Sequence, residues 1–185
     1  MTCESTILAH VSAIIELFDA ADKVYLPLWL ESGWAIDARL GRITRPHEDI
    51  DIAFPEERRA EYIGLIEGLG FGAHEFLDYG FLSLRGDVLL DSEPSFLIEE
   101  EYGFPHFPAG SCPMEKQGSI NGRPIRCLSW EAIYVEFLGY ASEVPKREWR
   151  SKDHRSFAIV QSHICSEIQE QLRRAHLRSI GRDSE

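Results

Sequence analysis

Cysteine is sparse and never paired. Cys3, Cys112, Cys127 and Cys165 are scattered with no C-x-x-C spacing. That excludes a zinc ribbon and a disulfide framework, and predicts reduced, mostly buried thiols in a cytoplasmic protein. No run approaches the ~18 apolar residues of a membrane span, so no membrane partner is expected. No Lys or Arg precedes the first apolar stretch, so no secretory leader is expected either. Basic residues are the scarcer charge, 19 Lys and Arg against 31 Asp and Glu, for a net charge of -12. Nucleic acid, which is bound through its phosphates by Lys and Arg, is therefore not an expected partner. A cationic one is.

What is present suffices for a packed core: 44% apolar and 11% aromatic residues in a chain of 185. The length fits one domain, or a small catalytic domain with a helical appendage. The division expected is 1–127 for the first and 128–185 for the second.

Ser5 to Asp22 carries Ile7, Leu8, Val11, Ile14, Ile15 and Phe18 at three- and four-residue steps, which predicts an amphipathic helix. A second such helix is predicted from Glu56 to Leu69. Between them, Tyr25 to Leu30 reads as a strand. Ser32-Gly33 reads as a small-residue turn and Trp34 to Leu40 as a short helix. Asp49-Ile50-Asp51-Ile52 then alternates polar and apolar residues like a strand. Residues two apart on a strand share a face, so Asp49 and Asp51 present two carboxylates together while Ile50 and Ile52 enter the core. Such a pair repels itself unless a cation lies between. Oxygen ligands next to a small-residue turn that can hold phosphate suit Mg²⁺. Alone, Asp-x-Asp also describes a solvated edge strand; the turn upstream favours the metal.

Further on, Phe71 to Phe76, Tyr79 to Arg85 and Asp87 to Glu93 read as three short strands, the last ending in Asp91 and Glu93. Asp87 to Glu101 holds six acids and no Lys or Arg (Asp87, Asp91, Glu93, Glu99, Glu100, Glu101); the part that begins at Asp91 is expected to form a negative wall suited to polyamines, and Glu99 to Glu101 a solvated face. Tyr102 to Met114, rich in Pro and aromatics, is expected as a structured loop over the site mouth. Asn121-Gly122 signals a hairpin, and Ser129 caps a helix running to Tyr140. A final helix is predicted from Asp153 to Ser179. Lys and Arg concentrate between Lys146 and Arg182. A monomer is expected, with weak head-to-tail self-association of acidic front and basic tail as the alternative.

These motifs together resemble the nucleotidyltransferase superfamily of DNA polymerase β, and within it the aminoglycoside 2″-nucleotidyltransferases. The blocks that carry the resemblance are Gly33 to Arg42, His47 with Asp49-Ile-Asp51, Leu77 to Leu82, Leu90 to Pro94, Gly110 to Pro113, Gly122 to Pro124 and Ser129 to Ile133. It implies an α/β fold, a twisted mixed sheet flanked by helices, followed by a helical C-terminal part. It implies nucleotidyl transfer from ATP, with Asp49, Asp51 and Asp91 holding Mg²⁺ (two ions) and Asp91 taking the proton of the attacking hydroxyl. Ser32, Gly33 and Arg45 would hold the phosphates, and Tyr79, Glu93, Glu136 and Tyr140 would contact the acceptor. The acceptor implied is the 2″-hydroxyl of gentamicin, kanamycin or tobramycin, a modification that confers resistance. With metals on either side, the pKa of Asp91 is expected to fall.

The chain departs from that pattern in places. Ser32 stands where relatives carry a glycine, and Phe96-Leu97 where they carry two tryptophans. Gly139 replaces an aromatic, and Glu136 an aspartate. Glu31 is expected to point away from the site or to touch the metal shell. Two other readings follow from the same motifs: a lincosamide nucleotidyltransferase, and a non-catalytic nucleotide-binding member of the superfamily.

Overall fold

The computed structural model describes residues 3–181. Met1, Thr2 and residues 182–185 lie outside it, as does Arg182 at the end of the basic tail; the side chain of Cys3 is likewise not described. Among the described residues no helix is long and apolar enough to cross a membrane.

The chain opens with α1 (Cys3–Lys23), β1 (Trp29–Leu30), α2 (Ser32–Leu40) and β2 (Ile50–Pro55). A 3₁₀ turn leads into α3 (Arg59–Gly68), then β3 (Gly72–Phe76), β4 (Phe81–Arg85), β5 (Val88–Ile98) and β6 (Glu101–Gly103). The hairpin β7 (Gly118–Ile120) and β8 (Arg123–Ile125) precedes α4 (Trp130–Glu143), α5 (Ser151–Ser162) and α6 (Ser166–Ser179). The main sheet runs β1-β2-β5-β4-β3, with β6 on the far end of β5. Only β2 and β5 are parallel; the other pairs are antiparallel. The result is the α/β sheet with a helical C-terminal part that the resemblance implied.

Alternation sorts the two faces. Ile50, Ile52 and Phe54 of β2 point with Leu90 and Ser92 of β5 and Phe81 of β4 into the layer covered by α1 and α3. There Phe54 stacks on Tyr62 at 4.5 Å, and Phe81 meets Phe54 edge-on. The Tyr62 hydroxyl finds the Ser92 hydroxyl at 2.9 Å, so the one polar atom on that ring is satisfied. Truncating any of these rings would cost about 3–5 kcal/mol. Gly80 is dictated by contact rather than by a turn: a Cβ there would lie 2.0 Å from the Ser92 carbonyl oxygen.

Four predicted elements differ. The strand expected from Tyr25 shrinks to Trp29–Leu30, because Tyr25 has φ 54° in a turn closed by its N–H to the Asp22 carbonyl. The strand expected to stop at Glu93 continues to Ile98, where it pairs with β6 inside the segment taken for a loop. The helix after the small-residue turn includes that turn, starting at Ser32. The single C-terminal helix is two, broken at His163-Ile164-Cys165, where Ile164 is buried and Gln169 bonds back to the Ile164 and Gln161 carbonyls. In α1 the apolar stripe holds except at Leu8, which is exposed. Cys112 and Cys127 are buried thiols; Cys165 is exposed at the start of α6.

The Asn121-Gly122 hairpin forms as predicted, both residues at positive φ. Asp22 ties it to α1 through Lys116 (2.6 Å), Arg123 (2.9 Å) and Arg126 (3.2 Å). Ser129 caps α4 by accepting the Ala132 N–H at 3.1 Å. The helix then packs on α2, α5 and α6.

Candidate active site

Register decides which acids share a face. Ile50 to Pro55 pairs in parallel with Leu90 to Ser95, placing Asp51 beside Asp91 and Ala53 beside Glu93. On the other side Trp29 pairs with Ala53 and Leu30 with Ile52, so Glu31 falls opposite Asp51, to whose carbonyl it donates its N–H at 3.0 Å. Neighbouring strands lie about 4.8 Å apart. Glu31, Asp51 and Asp91 therefore form a row across three strands, on the face opposite to Ile52 and Ser92. The next row reads Trp29, Ala53, Glu93. Of the two expectations for Glu31, pointing away or touching the metal shell, this overturns the first. Stepping along the chain from Ser32 said nothing about the partner strand, and antiparallel pairing returns residue 31 to the acid face.

Glu136 reaches the same face from α4, where its carboxyl feels Asp51 and Glu93 and receives the backbone N–H of Ser32. Six carboxylates thus converge: Glu31, Asp49, Asp51, Asp91, Glu93 and Glu136. Burial, then Asp49 and Asp91, raise the Asp51 pKa; Arg45 opposes them. Burial, then Asp51 and Glu93, raise Glu136. Burial followed by Asp91 pushes Glu93 up to about 7. Asp91 is also raised, by burial first, where the metal-bound form was expected to be lowered. The two directions belong to two states, because a cation among these carboxylates would reverse the sign of its neighbourhood. Three buried oxygens have no partner: Asp91 Oδ1, Glu31 Oε1 and Glu136 Oε2.

Beside the acids lies a cleft of about 210 Å³, lined by Ser32, Gly33, Arg45, Asp49, Tyr140, Arg150 and Lys152 among others. Ser32 has φ 49°, a left-handed backbone that glycine adopts without cost. Gly33 answers a different need. A Cβ there would lie 2.5 Å from His47 Nδ1 and 2.7 Å from an Arg45 guanidinium nitrogen. The loop that carries those two residues is pinned to α2 by Asp37. Asp37 meets His47 Nε2 at 2.7 Å and accepts from the Thr44 N–H and hydroxyl at 3.1 and 2.5 Å. The Trp34 indole donates to the Asp49 carbonyl at 3.0 Å and packs on His47 at 4.4 Å. The basic turn is thereby fixed against the start of α2, with Arg45 facing the cleft.

The other expected residues divide between the two regions. The Tyr79 hydroxyl donates to Asp91 Oδ2 at 3.2 Å from a half-exposed ring, and burial with the Asp91 charge raises its pKa to about 12. Tyr140 lines the cleft with Arg45 and Asp49 and stacks on Trp149 at 5.4 Å. Arg150 and Lys152 were missed in the sequence, as was the full membership of Glu31. Two cations in a basic tail carry no local signal; only the packing of α5 on α2 brings them beside Ser32.

Among the described residues no three His, Cys, Asp or Glu side chains already form a metal-holding group. Asp49, Asp51 and Asp91 share a face without closing into a cage. That suits Mg²⁺, which takes one or two carboxylates and completes its shell with water and substrate phosphates. Asp91 Oδ1 has no hydrogen-bond partner, and burial first raises both Asp51 and Asp91.

Comparison with known proteins agrees with this arrangement. The family model described as aminoglycoside-2″-adenylyltransferase matches residues 13–154. A 2″-aminoglycoside nucleotidyltransferase of Klebsiella pneumoniae is 48% identical over 166 residues, covering 90% of this chain and 94% of the relative. A lincosamide resistance protein of Staphylococcus haemolyticus is 34% identical over 139 residues, covering 69% and 81%. The crystal structure of ANT(2″)-Ia in complex with adenylyl-2″-tobramycin superposes with a TM-score of 0.89 at 46% identity, over 93% of this chain and 99% of that one. A lincomycin-bound lincosamide adenylyltransferase shares the fold, with a TM-score of 0.59 at 19% identity. With the sheet, the glycine turn and the aligned acids in place over nearly the whole length, the chain belongs to the aminoglycoside-2″-adenylyltransferase family.

Proposed function

We propose that the chain transfers AMP from ATP to the 2″-hydroxyl of aminoglycosides of the gentamicin, kanamycin and tobramycin type. The observation that supports this most directly is the aligned pair Asp51 and Asp91, set between a cleft with Arg45, Arg150 and Lys152 and an acid face with buried, unpartnered carboxylate oxygens. The cleft offers cations and backbone N–H groups to a triphosphate. The acid face offers carboxylates to a polyamine. A ligand that is negative at one end and an acceptor that is positive at the other would meet at the Asp51–Asp91 row.

In this reading Ser32, Gly33 and Arg45 orient the phosphates, and Arg150 and Lys152 neutralise them. Asp49, Asp51 and Asp91 would hold Mg²⁺, which when bound lowers the pKa of the hydroxyl and offsets charge on the phosphates. The hydroxyl oxygen attacks the α-phosphorus and its proton passes to Asp91. The bond from α-phosphorus to the bridging oxygen breaks, and pyrophosphate leaves. Glu93 and Glu136 pair with ammonium groups, and Tyr79 borders the acceptor from the rim. The added nucleotide gives bulk and negative charge to a drug that binds RNA by its positive charge.

A lincosamide acceptor carries little positive charge and leaves the acid face unused. Pyrophosphate release from ATP and Mg²⁺ with tobramycin, with lincomycin and with neither tests the reading. Stimulation by tobramycin alone is expected. Stimulation by lincomycin alone, or by neither, would sink it.

A further inference from the structure

The chemistry above leaves one buried carboxylate unused. Glu31 is only 5% exposed, faces the acid rows from β1's edge of the sheet, and its Oε1 has no hydrogen-bond partner. It occupies the N-cap of α2, a position whose capping side chains are the shorter Ser, Thr, Asp and Asn. Here the side chain makes no capping bond; only the backbone carbonyl is used, accepting the Ala35 N–H at 3.0 Å. The carboxyl is left to the acid face. The charges that act on it are Glu93 and Glu136 first, then Asp51 and Asp91, all of its own sign. An unpaired carboxylate in such surroundings costs several kcal/mol unless it gains a proton or a cation.

The acid face has two ends. Asp49 and Asp51 lie against the phosphate cleft, where a metal would bridge to the nucleotide. Glu31 lies one strand spacing from Asp51 and two from Asp91 along its row, and the charges that act on its carboxyl most are those of Glu93 and Glu136. A Mg²⁺ already supplied by one or two carboxylates and by phosphates needs no further acid at that end. An ammonium group does, since it has three N–H donors to share among three carboxylates.

We propose that Glu31 joins Glu93 and Glu136 in an inner subsite that takes an ammonium group of the acceptor, remote from the reacting hydroxyl, and so selects acceptors with an amine at that reach. This rests on the function proposed above, and it adds a binding residue and a criterion for substrates.

The test compares wild type, Glu31→Gln and Glu31→Asp by calorimetric titration of tobramycin without Mg²⁺ or nucleotide, beside thermal unfolding of the ligand-free proteins. Glu31→Gln should weaken tobramycin at least tenfold while raising the ligand-free Tm, because it removes a repulsive charge. Glu31→Asp, which keeps the charge, should bind within a few-fold of wild type. The Mg²⁺ concentration for half-maximal pyrophosphate release should not move in either variant. Binding by Glu31→Gln within threefold of wild type would overturn the inference. So would equal weakening in both variants, since fit and not charge would then carry the loss. A shifted Mg²⁺ requirement would place Glu31 on the metal and overturn it too. A wild type that binds no tobramycin would defeat the proposed function and this inference together, whereas wild-type binding with an unaffected Glu31→Gln defeats the inference alone.

Discussion

Single residues at the start of α2 carry more constraint than their size suggests. Ser32 holds φ 49°, so Ser32→Gly should relieve backbone strain and change stability by no more than about 1 kcal/mol, in the stabilising direction. It should also leave the KM for ATP unchanged or lower it. A tenfold rise, ~1.4 kcal/mol, would mean that the hydroxyl contacts phosphate. Gly33→Ala should behave oppositely. Its methyl would have to displace the His47 ring or the Arg45 guanidinium, so overpacking of about 1–3 kcal/mol and a raised KM for ATP are expected. Unfolding curves and steady-state kinetics check both variants. Asp91 and Glu93 separate by role. Asp91→Asn should cut turnover 10²–10⁴-fold, the usual loss for a general base, and affect drug affinity less. Glu93→Gln should weaken drug binding by about 1–3 kcal/mol, less as salt rises. Turnover of Asp91→Asn within a few-fold of wild type would refute the assignment.

At the level of elements, Asp22 is the joint between α1 and the β7–β8 hairpin. Burial alone would raise its pKa, but Lys116, Arg126 and Arg123 outweigh burial and hold it below the usual value of 3.8. A carboxylate lowered on folding adds stability that is fully present above the unfolded pKa and is lost as pH falls through the folded one. Asp22→Asn should therefore destabilise the chain by about 1–2 kcal/mol at pH 7, a partly exposed network being worth no more. The difference should shrink in acid-unfolding curves as pH falls below the usual carboxylate range. Elements were also where the sequence was most and least legible. Alternation in Asp49 to Ile52 and the Asn121-Gly122 turn could be read directly, because the pattern is local. The end of β5, the break before α6 and the side to which Glu31 turns could not. Each is set by pairing or packing that local periodicity does not show: β6 for Ile98, the burial of Ile164 for the break, and the distant strand of Asp51 for Glu31. Arg150 and Lys152 were invisible for the same reason.

For the whole molecule, the balance of charge across the site predicts its response to ligands. Without a cation the acid face opposes folding, so Mg²⁺ with a non-hydrolysable ATP analogue should raise the Tm relative to EDTA. Ligand at a hundredfold its Kd stabilises by about 2.7 kcal/mol. No shift with Mg²⁺ and analogue together would speak against the phosphate cleft and the metal acids at once. The parallel pairing of β2 with β5 has a further consequence, in time rather than in space. Asp49 and Asp51 leave the ribosome early, yet their partner strand arrives only after α3, β3 and β4 have been made, and Glu136 later still. Closing that long loop is slow because its entropy must be lost before the pair of strands returns anything. A nascent chain stalled before α4 would have its phosphate turn and an acid face without Glu136, so that face is complete only once α4 has docked.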